Sequence, residues 1–287
     1  MSVDDLVRGS IDMHVHHSPD VIITARMDAL DTAKQAHQMG MRAIVLKSQI
    51  YSTVPLATMV GKLVPEVQVF GGISLDWEIG GLNFYALEAS AKLGARIVWM
   101  PCHSSRNSMV GFAKFSGIPV EGKGLCILNS KNKLVPEMSK ILSSIKEHDL
   151  ILASGHISPQ ETFVLIEQAQ AMGISKLVIT HALPHTFEQS LSLEEQKQLG
   201  QMGAFIEYVY VGFLPTDFRD DPQLLVKAIR HVGAEHCIIS TDLGQYYNPP
   251  PAEGMRMFIA LLLKNGITEH EVELMAKINP AKLLGLN

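Results

Sequence analysis

The chain has 287 residues, 47% hydrophobic and 18% charged, and carries a formal charge of −5 at pH 7. That balance supports a large buried core and excludes a polyanionic partner, because nucleic-acid binders show a basic patch or stripe; no nucleic acid is expected. Three scattered cysteines (Cys102, Cys126, Cys237), none in a Cys-x-x-Cys pair, exclude a disulfide framework and a thiolate zinc site.

Near the N-terminus, Ile11-Asp12-Met13-His14-Val15-His16-His17 reads as a strand. Alternation would send His14 and His16 to one face, with Met13 and Val15 packed behind. A helix is predicted over Met27–Met39, then a continuous apolar strand over Met41–Lys47 that ends in a lysine. Helix Thr53–Leu63, strand Val67–Leu75, helix Tyr85–Leu93 and strand Arg96–Met100 follow. Pro101 to Val135 breaks the pattern, and Gly124–Leu128 followed by Asn129–Asn132 suggests a hairpin within an insertion. The alternation then resumes with helix Pro136–His148 and strand Leu150–Ser154. Ser158, Pro159 and Glu161 open a helix that runs to Met172, and Lys176–Thr180 is strand six. Ser192 to Glu195 forms a second capping box, on a helix ending near Gly203. Strand Ala204–Tyr208, helix Pro222–Val232 and strand His236–Ser240 complete eight βα units. Helices Glu253–Lys264, Glu269–Ala276 and Pro280–Leu284 close the chain.

Strands alternating with helices imply a parallel sheet, and eight repeats favour a closed (β/α)8 TIM barrel in a single domain over 1–287. A dinucleotide fold is disfavoured, since no Gly-x-Gly-x-x-Gly follows strand one. No run approaches the roughly 18 apolar residues of a membrane span, and MSVDDLVRGS lacks the apolar core of a secretion signal. A cytoplasmic protein without membrane contact is expected.

Active sites of such barrels lie at the C-terminal ends of the strands. Strand one delivers His14 and His16 there, strand two Lys47, strand five His156, strand six His181 and strand eight Asp242. Any one of these histidines alone reads as a hydrogen-bonded core residue. Their recurrence at successive strand ends points instead to a metal.

These residues resemble the ligand set of the amidohydrolase superfamily of metal-dependent hydrolases. The resemblance runs from Ile11 to the closing Asn279–Leu286. Members carry His-x-His after strand one, a bridging carbamylated lysine or glutamate usually after strand four, histidines after strands five and six, and an aspartate after strand eight. His14, His16, His156, His181 and Asp242 match in order and strand position. With His14 so early, the chain is similar to the compact phosphotriesterase-like and TatD-like branches and matches no characterised subgroup. The departure is at strand four, where Arg96–His103 offers neither lysine nor glutamate. Lys47 (carbamylated or free), Glu78 and His103 are the substitutes. Lys47 is preferred, since a lysine closing an apolar strand is costly unless it reaches a polar centre.

The resemblance implies one or two divalent ions, zinc first among zinc, manganese, iron and nickel. It implies a hydrolase that uses metal-activated hydroxide on a C–N, C–O or P–O bond of a small molecule, with Asp242 moving the proton and Lys47 beside it. His103, Arg106, His185, Tyr208 and Tyr246 are expected to contact substrate from the rim. A Schiff-base lyase or aldolase using Lys47, and a non-catalytic metal-binding barrel, are the alternatives. A homo-oligomer is compatible with the sequence.

Overall fold

The computed structural model describes residues 1–116, 123–183 and 190–286. Its strands are β1 (Ile11–Val15), β2 (Ala43–Leu46), β3 (Gln68–Ser74), β4 (Ile97–Trp99), β5 (Ile151–Ala153), β6 (Leu177–Ile179), β7 (Phe205–Val209) and β8 (Cys237–Ser240). They pair in parallel in chain order. The ring closes where Val15 bridges Leu243, with His16 N donating to Leu243 O at 2.8 Å and Asp242 N to His14 O at 2.9 Å. The fold is a (β/α)8 TIM barrel.

Helix α1 (Val3–Val7) precedes β1. Around the barrel run α2 (Ala29–Gln38), α3 (Val54–Leu63), α4 (Phe84–Lys92), α5 (Met109–Ser116), α6 (Glu137–Glu147), α7 (Pro159–Ala171), α8 (Leu193–Gln201), α9 (Pro222–Val232) and α10 (Pro251–Lys264). The capping boxes at Ser158 and Ser192 form as their sequences require. The insertion carries the expected tight turn, closed by an antiparallel bridge between Leu128 and Leu134. It also holds α5, which the sequence pattern had not separated from loop. Glu161 ties the insertion to α7, because its Oε1 accepts from Ile127 N at 2.9 Å while its Oε2 completes the Ser158 cap.

Apolar residues segregate by strand parity into two cores. Ile11, Met13, Ala43, Val45, Ile97 and Trp99 belong to the cluster inside the barrel, whereas Ile44, Leu46, Val98 and Leu152 pack outward against the helices. Strand β1 departs from strict alternation. Ile11 and Asp12 pair with Ala43 and Ile44, but Val15 pairs with Leu46, so β1 carries one extra residue between Asp12 and Val15. This bulge changes which face the strand presents. Met13 consequently joins the inner cluster instead of packing behind the histidines, and Val15 alone turns outward.

At the C-terminus, α11 (Glu269–Glu273) passes through a π-helical turn (Leu274–Ile278) into α12 (Asn279–Leu284). Ala281, Leu283 and Leu284 join the inner cluster. Buried Asn279 donates from Nδ2 to Ala234 O (3.0 Å) and Cys237 O (2.7 Å), which locks the plug to the start of β8.

Asn279→Ala removes both of these bonds and is expected to cost about 1–3 kcal/mol in urea denaturation; an unchanged midpoint would contradict this role. Between α4 and α6, Glu88 accepts from Ser144 Oγ (2.8 Å) and Lys92 Nζ (3.0 Å), and His148 Nε2 lies 3.3 Å away. The Ser144 hydroxyl and then Lys92 pull its carboxyl from the ordinary 4.5 down to about 2. Its stabilisation is therefore complete above that ordinary value and drains as pH falls through the folded value. Glu88→Gln should flatten stability between pH 5 and pH 2 relative to the parent chain, as followed by chemical denaturation.

Candidate metal centre

The bulge in β1 and the seam with β8 bring the N-terminal histidines to Asp242. His14 Nε2 and His16 Nε2 each lie 3.0 Å from Asp242 Oδ1, and ligand atoms of the three residues fall within 4.8 Å of one another. Lys47 Nζ is 3.0 Å from His14 Nε2. From β5 and β6, His156 and His181 meet through their Nε2 atoms at 2.8 Å, and the His181 ring stacks 6.2 Å from that of His14. All six residues singled out as metal-capable from the sequence thus gather at one mouth of the barrel.

Backbone geometry makes this convergence possible. Gly155 sits at φ +58°, and a Cβ there would meet Met100 O at 2.2 Å; the turn it permits lets His156 N donate to Pro101 O. His181 and Asp242 themselves adopt positive φ, 27° and 54°. Non-glycine residues in that region carry strain of the kind that clusters at functional sites.

Two carboxylates overlooked in the sequence organise the cluster. Glu207 on β7 is buried, and its Oε2 lies 3.3 Å from His14 Nδ1 and accepts from His181 N at 3.3 Å. With Nδ1–H committed to Glu207, the His14 Nε2 lone pair faces the Asp242 oxygen and the His16 nitrogen. An acceptor set of imidazole nitrogens and a carboxylate fits a divalent cation of the zinc kind. The electrostatics agree. Burial pushes the His14 ring toward the neutral form, yet Asp242, opposed by Lys47 and helped by Glu207, raises its pKa to about 9. The site demands positive charge. Asp12, the second carboxylate, accepts from Thr241 N (3.0 Å), Thr241 Oγ1 (2.5 Å) and His14 N (3.2 Å), replacing ladder bonds that the bulge removes. The signal for both was present, a carboxylate inside an otherwise apolar strand, as it was for Lys47.

Of the three substitutes for the strand-four bridge, only Lys47 reaches the cluster in this geometry. Trp99 of β4 fills the barrel there, its ring 6.1 Å from that of His14 and 5.4 Å from Lys47 Nζ, a cation–π contact. Glu78 Oε1 instead lies 3.0 Å from His103 Nε2. His103 Nδ1 is 3.3 Å from Asp76, whose buried carboxylate accepts from Cys102 N, Ser104 N, Ser104 Oγ and Ser74 Oγ.

Above the cluster lies a cavity of about 480 Å³ lined by His16, Lys47, His156, His181 and Asp242 at its floor and by Ile22, Ile23, Gln49, Val211, Asp217, Gln245, Tyr246 and Tyr247 among its walls. Tyr246 therefore stands where the sequence placed it, on the rim. Other expected substrate contacts do not. Tyr208 faces outward and donates to Gln196 Oε1 at 3.0 Å, because strand parity turns its neighbour Glu207 inward. His103 is engaged in the Asp76–Glu78 network, and exposed Arg106 lines a separate surface groove with Cys126 and Glu161. His185 lies outside the described residues.

The barrel is a fold that this chain shares with solved enzymes. An amidohydrolase from Pseudomonas aeruginosa superposes with a TM-score of 0.68 at 13% identity, over 99% of this chain and 98% of its own. The probable dipeptidase PvdM from Pseudomonas aeruginosa gives 0.67 at 12%, covering 99% and 96%. The organophosphorus hydrolase from Deinococcus radiodurans gives 0.60 at 15%, covering 99% and 94%. At such identities the fold is what is shared. The chain belongs to DUF6282, a family of unknown function, whose match spans residues 9–207. No curated protein sequence matches it.

Glu207→Gln is expected to loosen divalent-ion binding about 10–100-fold, by analogy with other carboxylates that orient metal-ligating histidines. Competition against a chromogenic chelator reads this, with thermal melting as the folding control. Unchanged affinity would show that Glu207 does not orient His14 for a metal.

Proposed function

We propose that the chain, as one domain over residues 1–287, is a metal-dependent hydrolase of the amidohydrolase type that cleaves a C–N, C–O or P–O bond of a small molecule. The observation that carries this reading is the meeting of two imidazole nitrogens, from His14 and His16, on one oxygen of Asp242 at the C-terminal mouth of the barrel. His14, His16 and Asp242 would hold the ion, with His156, His181 and Lys47 as neighbouring donors for it or for a second ion. Zinc leads the candidates. A divalent ion bound there supplies Lewis acidity and water that ionises near neutral pH.

The remaining work falls to the chain's own groups. Asp242 is 16% exposed in its side chain and opens on the cavity, so it can take a proton from attacking water and return it to the leaving group. Glu207 holds His14 in one tautomer. Lys47, pinned between His14 and Trp99, places a nitrogen at the floor where a developing negative charge would sit. The cavity volume suits a small molecule, and Tyr246 and Tyr247 form part of its wall. Among the described residues no helix is long and apolar enough to cross a membrane.

Protein purified without chelator should contain bound divalent metal by elemental analysis. It should hydrolyse at least one member of a panel of esters, lactones, N-acyl amino acids and phosphotriesters, losing that activity to chelator and regaining it with zinc or manganese. Asp242→Asn should lower kcat by about 10²–10⁴-fold, and His156→Ala and His181→Ala should lose metal. Absence of metal from the parent protein, or full retention by both histidine variants, would overturn the assignment.

A further inference from the structure

The cavity distributes its charge unevenly. Among the described residues its lining carries one cationic side chain, Lys47, held at the floor 3.0 Å from His14 Nε2, and two carboxylates, Asp242 at the floor and Asp217 in the wall. Asp217 follows the turn after β7 and is anchored by neutral donors. Its Oδ2 accepts from Asn248 Nδ2 (2.8 Å) and its Oδ1 from Tyr247 OH (3.3 Å), while Thr216 Oγ1, 3.2 Å from Oδ2, lies closer to Asn248 Oδ1 at 2.6 Å. Asn248 is buried and also donates to Gln245 Oε1 at 3.0 Å, so the carboxylate is held in place from behind. Two donors leave lone-pair capacity on a carboxylate, and neither neutralises it.

Two further observations point to what would. Tyr246 and Tyr247 pack edge to face with centroids 5.1 Å apart, remain 59% and 40% exposed, and line the same cavity as Asp217. A carboxylate beside aromatic faces is the combination that attracts an organic cation. Gln49, 3% exposed, lines the cavity as well, and its Oε1 has no hydrogen-bond partner. Asp217 and Gln49 Oε1 thus offer a ligand two acceptors in the cavity lining. Burial raises the Asp217 carboxyl above its ordinary value, and Asp242 is near enough to push it the same way. A cation lodged beside Asp217 relieves it, Asp242 being committed to the His14 and His16 site below.

Resting on the hydrolase reading for the floor of the same cavity, we propose that the substrate carries a cationic amino group and that Asp217, with Tyr246 and Tyr247, forms the subsite that binds it. The substrate class is a small amide, ester or phosphoester with a pendant ammonium. An anionic pendant group would meet Asp217 with no arginine among the described lining residues to offset it.

The test is a calorimetric titration of the metal-loaded full chain at pH 7 with 4-phenylbutylamine and with 4-phenylbutan-1-ol, which match in shape and differ in charge. The amine should bind at least tenfold more tightly. Asp217→Asn should abolish that preference while leaving the alcohol's affinity within about twofold, which separates the subsite from direct amine coordination to metal. Tyr246→Leu, on the exposed rim, should weaken the amine several-fold and the alcohol less. Equal binding of the two probes by the parent chain, or a preference that survives Asp217→Asn, overturns the proposal. Should Asp217→Asn melt below the assay temperature, a preference undiminished in Tyr246→Leu overturns it instead. Hydrolysis is scored separately: charge preference without turnover on any panel member sinks the hydrolase reading and keeps the subsite, and turnover without preference does the reverse.

Discussion

The seam between β1 and β8 is the constraint on which the rest of the structure depends. It joins the first and last strands of the barrel through Asp242 N to His14 O and His16 N to Leu243 O, so the backbone bonds that close the ring also set the spacing of His14, His16 and Asp242. Asp12 makes the closure possible despite the bulge, because its carboxylate takes over the donors of Thr241 and His14 that a regular ladder would have served. Barrel closure and site assembly are one event. A chain that slipped its register here would lose both, since a one-residue shift exchanges the faces of a strand.

The second organising fact is charge. Lys47, Asp12, Glu207 and Asp242 stand among four histidines at the end of a barrel whose inner cluster is Ile, Val, Met, Ala, Leu, Phe, Cys and Trp. Isolated charges there would be prohibitively costly; Asp12 is held by the Thr241 and His14 donors, its carboxyl raised by burial to about 7, and the other three persist because each has a polar or aromatic partner. Lys47 lies between an imidazole and the Trp99 ring, Glu207 between His14 Nδ1 and the His181 amide, Asp242 between two imidazoles. Asp242 and Glu207 hold His14 toward its charged form against burial and Lys47. The upper cavity continues the theme, with Asp217 held by neutral donors and aromatic rings beside it.

Much of this was legible in the amino-acid order. The apolar runs at Met41–Lys47 and Leu150–Ser154, the capping boxes at Ser158 and Ser192, and the rhythm of eight βα units specify a barrel through local propensity and burial alone. Barrel topology then carries His14, His16, Lys47, His156, His181 and Asp242 to one rim, because strand ends are neighbours whatever their separation in sequence. Glu207 and Asp12 could have been found by the argument that picked out Lys47, an ionisable group within an apolar strand. Helix α5 was hidden because it sits inside an irregular insertion that breaks the βα rhythm.

Other features had no local signature. Tyr208 and Glu207 are adjacent, and which of them faces the interior follows from the pleat and from the registers of β6 and β8. The bulge that sends Met13 inward answers to the β1–β8 closure across more than 200 residues. His103 and Arg106 have rim positions in sequence, but the Asp76 network captures one and a separate groove the other. Sequence by itself determined the barrel, its strand ends and the chemical types gathered there, since those depend on periodicity and connection rules acting over a few residues. Only tertiary structure decided which of those groups touch, which tautomer His14 is held in and where the wall of the cavity places Asp217, because these rest on contacts between strands and loops that share no local sequence.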